Sequence, residues 1–96
     1  MEYRLMNDYT VGWPFWASDG LCGDDDPQLP VSLAADVRAW AATFNHEFDY
    51  MTGWPTAKLA DEHEREGRRL YEEGRRALPN DSITLEYWET ARRASS

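Results

Sequence analysis

Six apolar residues, Leu33, Val37, Trp40, Phe44, Phe48 and Met51, recur at steps of four, three, four, four and three. At about 100° per residue they fall within about 80° of one side of a helix, which makes that side a core face. The helix should open after Pro30 with Ser32 as N-cap, its hydroxyl accepting a bond from an amide of the first turn. Thr52-Gly53 should end it, because glycine takes the left-handed conformation at the C′ position and Trp54-Pro55 bars continuation.

A second amphipathic stretch runs from Thr56 to about Leu78 and stops at Pro79-Asn80-Asp81. Leu59, His63, Gly67, Leu70, Gly74 and Ala77 share one face, and Lys58, Arg65, Arg68, Arg69, Arg75 and Arg76 share the opposite one. Each inward glycine costs a helix roughly 1 kcal/mol relative to alanine. Close approach to the bulky Trp40 and Phe44 of the first helix would offset that cost.

The flanks alternate with the period of a strand, at residues 2 to 8 and again at 82 to 89, where Ile83, Leu85 and Tyr87 interleave with Thr84, Glu86 and Trp88. Between Tyr9 and Pro30, glycine, proline and aspartate punctuate the chain too densely for long regular structure, although Phe15 to Ala17 can extend. Pro14 would confine such a piece to a sheet edge. The expected fold is α+β over a single domain, residues 1–96: two antiparallel helices packed on a small antiparallel sheet formed by the N- and C-terminal strands, in the order strand, loop, helix, helix, strand. A two-stranded sheet is marginal, so either part of Val11 to Ala17 adds a strand or two copies join their sheets. Ala91 to Ser96 reads as a fraying tail.

Charge is lopsided. Residues 1 to 55 hold nine acids against two arginines, residues 56 to 96 nine acids against eight basic residues, and the net charge is −8. The start lacks the basic and apolar regions of a signal peptide, and no run approaches the roughly 20 apolar residues a bilayer requires, which predicts a cytoplasmic protein that avoids membranes. The single cysteine, Cys22, excludes an internal disulfide.

The stretch Tyr3-Arg4-Leu5-Met6-Asn7-Asp8-Tyr9, followed by Trp13-Pro14-Phe15-Trp16 and then the Leu33 to Phe48 helix with Trp40, resembles a group of small, functionally unassigned proteins of high-GC bacteria. The resemblance covers about half the chain and implies a bacterial, cytoplasmic protein. It implies no site residues.

Motifs for chemistry are lacking: no glycine-rich phosphate loop, no paired cysteines, no His-Glu-x-x-His and no Glu-x-x-His. Asp24-Asp25-Asp26 lacks the alternating oxygen ligands, glycine and glutamate of a calcium loop, and no cofactor or metal is expected. Acids near Cys22 should raise its thiol pKa and remove it as a nucleophile. His46 reads as exposed, whereas His63 lies within the apolar stripe of the second helix and reads as a buried side chain bonded to a backbone carbonyl or a carboxylate. The arginine face shares its arc with Asp61, Glu62 and Glu72, so it reads as a salt-bridged, solvated surface rather than a nucleic-acid contact.

What remains is an acidic half that carries loop-borne aromatics. Tryptophan dominates interface hot spots, and acids around it speed encounter with basic partners. The sequence therefore favours a non-enzymatic protein-binding module of inhibitor, immunity or antitoxin-accessory type, a monomer or homodimer, docking on a basic protein through Trp13, Trp16, Asp24, Asp25 and Asp26. The alternative is a small-ligand or enzyme-like domain with a pocket between the helices, lined by Trp40, His63, Gly67 and Tyr87.

Overall fold

The computed structural model describes residues 1–89, so the expected tail at 91–96 lies outside the described residues. Its elements are β1 (Glu2–Leu5), β2 (Phe15–Ala17), β3 (Gly20–Leu21), α1 (Val31–Glu47), α2 (Ala57–Ala77) and β4 (Ser82–Leu85). The strands form one mixed sheet in the order β3-β2-β1-β4. The α+β class, with two helices and a sheet that joins both chain ends, is the one the sequence predicts. None of the described helices is long and apolar enough to cross a membrane.

The direction of the terminal pair is a correction. β1 and β4 run parallel, Tyr3 opposite Ile83 and Leu5 opposite Leu85, whereas β1–β2 and β2–β3 are antiparallel. An even number of helices would reverse β4 only if the connection before them made no extra pass. It does make one: after Cys22, whose amide bonds the Phe15 carbonyl, the chain meets Arg38 through Asp24 and Asp25 and only then reaches the start of α1, two turns earlier along that helix. Residues 22 to 30 thus return along α1 and supply the missing reversal. Nor is β2 an edge. Pro14 stands just before it and contributes only its carbonyl, which accepts from the Met6 amide at 3.0 Å, while the two-residue β3 covers the outer side.

α1 also departs from its expected bounds. Its N-cap is Pro30, with no side-chain cap, and the Pro30 carbonyl accepts from the Ala34 amide at 2.9 Å, so Ser32 lies inside the first turn. At the other end Phe48 is extended, at φ −86° and ψ 122°. Asp49 is the cause: its Oδ1 accepts from the amides of Met51 and Thr52 at 2.7 and 3.1 Å, an alternative to helical bonding that leaves Met51 exposed rather than on the core face. α2 matches its expected span, with the Thr56 hydroxyl accepting from the Leu59 amide at 3.0 Å.

The core lies between the sheet and the helix pair, built from Tyr3, Leu5, Phe15, Leu33, Val37, Trp40, Leu70 and Ile83 among others. A Cβ placed on Gly67 would stand 2.7 Å from Cζ2 of Trp40, so Gly67 admits that ring. Gly74 serves a different neighbour from the expected Phe44: the nearest atom is Cδ1 of Ile83 in β4, at 3.2 Å.

Candidate functional site

All five indole N–H groups donate to backbone carbonyls: Trp13 to Asp26, Trp16 to Met6, Trp40 to His63, Trp54 to Glu89 and Trp88 to Asn7, each at 2.8 to 2.9 Å. A buried indole N–H needs such a partner, and four of these five bonds bridge segments that are 10 to 35 residues apart while the fifth spans 81. The tryptophans therefore tie loops to the framework.

This decides where the expected docking residues lie. Trp13 is only 5% exposed, packs on Phe15 at 5.2 Å between ring centroids, and carries the Arg38 guanidinium 4.5 Å over its ring. It is a core residue. Trp16 alternates with the buried Phe15 and faces the outer side of the sheet, lining a shallow depression with Glu2, Arg4, Ser82 and Thr84. Asp24 and Asp25 both bind the Arg38 guanidinium at 2.9 Å, and Asp26 accepts from the Tyr3 hydroxyl at 3.0 Å on the helix side of the sheet. Trp16 and the three aspartates thus do not share one patch. The bond to Asp26 and, more strongly, burial push the Tyr3 hydroxyl up to about 12. Burial also leads the rise at Cys22, ahead of the charges of Asp26 and Asp19.

Trp40, His63, Gly67 and Tyr87 do come together, but as packed interior. The His63 ring stacks on Trp40 at 4.8 Å and 9° between planes, its Nε2 is 3.0 Å from the Trp40 carbonyl, and its Nδ1 is 2.9 Å from the Tyr87 hydroxyl. Both ring nitrogens are engaged and Trp40 fills the space beside Gly67, while Trp40 and His63 also line a groove between the helices with Asp36, Thr43, Leu59 and Glu66. Burial pushes the His63 pKa down to about 4, against weaker opposing effects of the Trp40 carbonyl and Glu66. Among the described residues, no group of three or more metal-ligating side chains converges.

On the arginine face, Arg68 pairs with Glu64, Arg69 with Glu66 and Asp36, Arg75 with Glu72 and Arg76 with Glu73. It is a salt-bridged surface, as the interleaved acids suggest, although of Asp61, Glu62 and Glu72 only Glu72 pairs there among the described residues. A model of the family described as Serratia CdiI immunity protein-like matches residues 1–90. The chain belongs to that family. Immunity proteins act by binding a protein toxin rather than by catalysing a reaction. No curated protein matches the chain.

One residue pair is missed as a surface feature, since the helical period assigns Met51 to the core face and Tyr50 to no role. Tyr50 and Met51, in the turn between α1 and α2, are 78% and 75% exposed. Asp49 followed four residues later by Gly53 is the signal that could have found them, since an aspartate that caps its own turn and a glycine at φ +81° mark a tight reversal.

Proposed function

We propose that the chain is the immunity partner of a basic protein toxin in a bacterial cytoplasm, binding it through an acidic surface. The observation that carries this reading is the family match over all of the described residues, and the net charge of −8 supports a partner of opposite sign. Surface charge of this kind steers encounter and excludes wrong partners. Asp24 and Asp25 keep exposed carboxylates while they hold Arg38, so they contribute to that field, and Trp16 offers a second, separate contact on the outer face of the sheet. Nothing in the role needs chemistry from the chain.

The test is the association rate with a purified candidate toxin domain chosen from the neighbouring genes, followed at 0.1 and 1 M salt. The screening length shortens from about 10 Å to about 3 Å over that range, so the on-rate should fall by at least about tenfold. An on-rate indifferent to salt, or a toxin domain of acidic charge, would overturn the reading.

A further inference from the structure

We infer that Tyr50 and Met51 form the anchor by which the chain docks into a basic, partly apolar cleft of its toxin; this deepens the immunity reading and rests on it. Among the described residues these are two adjacent large apolar side chains held almost fully in solvent. Tyrosine and methionine are both enriched where protein interfaces bury their centres.

The backbone beneath them is fixed before any partner arrives. Asp49 and Gly53 exchange amide–carbonyl bonds in both directions, at 3.0 and 2.7 Å, and Asp49 Oδ1 takes the Met51 and Thr52 amides. Below the turn, Trp54 is buried, packs edge-on against Phe48 at 5.2 Å and donates to the Glu89 carbonyl. A loop held in one conformation loses little entropy on binding, so the exposed pair presents contact area at low cost.

Charge selects the occupant. The ends of the two helices that flank the turn carry Glu47, Asp49, Asp61 and Glu62 against Lys58, Arg65 and His46, and none of the four acids forms an ion pair among the described residues. That differs from Asp24 and Asp25, which share an internal arginine. An apolar tip in an unneutralised acidic setting complements a cleft lined with lysine or arginine around an apolar floor.

The experiment measures affinity for a purified candidate toxin domain chosen from the neighbouring genes, using a Tyr50→Ala/Met51→Ala double variant and a separate Tyr50→Arg variant. Both should melt like the wild type. The dissociation constant should rise at least about 30-fold in the double variant, mainly through the off-rate, and as much in Tyr50→Arg, while Asp24, Asp25 and Asp26 changed together to asparagine should slow association less than about fivefold. Wild-type affinity in both turn variants would overturn the anchor and leave the immunity reading standing. A wild-type chain that does not bind the toxin would overturn both.

Discussion

The Asp24–Asp26 loop and the Asp49–Gly53 turn are both acidic, both at the surface and both joined to α1, yet they use their residues in opposite ways. The first spends its side chains on the fold: two carboxylates hold Arg38 while staying exposed, one accepts from Tyr3, and the Asp26 carbonyl receives Trp13 from the core. In the second, one carboxylate is directed at its own backbone, which leaves Tyr50 and Met51 without burial. A run of like charge is thus part of the packing at one place, and a residue from an apolar stripe is on display at another. The difference separates surface that keeps the fold from surface free to meet a partner.

The largest effect that can break this contrast is on stability. Trp13→Ala removes a buried ring, its bond to Asp26 and the platform under Arg38, and should cost about 3 to 5 kcal/mol, whereas Tyr50→Ala should stay within about 0.5 kcal/mol of the wild type. Urea midpoints measure both. A Tyr50→Ala variant that lost as much as Trp13→Ala would show that the turn supports the fold.

A smaller effect sharpens the same contrast from inside, because two buried titratable groups lie beneath the helix turn. The folded His63 pKa is lowered to about 4 from the ordinary 6.5, so its neutral form contributes stability that is complete above about 6.5 and lost as pH falls toward 4. Glu89 is fully buried, and its pKa is raised to about 7 from 4.5, chiefly by that burial and against the bonds from Asn7 and the Trp88 amide. Its protonated form therefore contributes stability that is complete below about 4.5 and lost as pH rises through 7. Between about 4.5 and 6.5 the two slopes oppose each other. The wild type should show a shallow profile there, with His63→Gln destabilised by rising pH and Glu89→Gln by falling pH, each by less than about 1.4 kcal/mol per unit. Identical profiles for the two variants would remove one group from the interior.

Much of the helical layer was legible because local rules act alone there. Thr56 caps α2, Pro79 follows its end, and the clash of any Cβ at Gly67 with Trp40 is implied by an inward glycine facing a bulky ring. The direction of β4 was hidden, since turn-rich residues 22 to 30 do not announce whether they cross the length of a helix. Met51 fits the helical period perfectly well and still leaves the helix, because periodicity does not register a side chain such as Asp49 that competes for the backbone. The tryptophans misled for a related reason: their value at interfaces and their value as core ties come from the same large ring and polar N–H, and only the position of an acceptor carbonyl distinguishes them.

Hydroxyl-radical footprinting of the chain, alone and bound to its toxin domain, tests the docking claim most directly. Met51 and Met1 have similar exposure when free, at 75% and 65%, so each serves as the other's control. On binding, modification of Tyr50 and Met51 should fall several-fold while that of Met1 stays unchanged. Full reactivity at Tyr50 and Met51 in the complex, with protection moved to the loop around Asp24, would contradict the account.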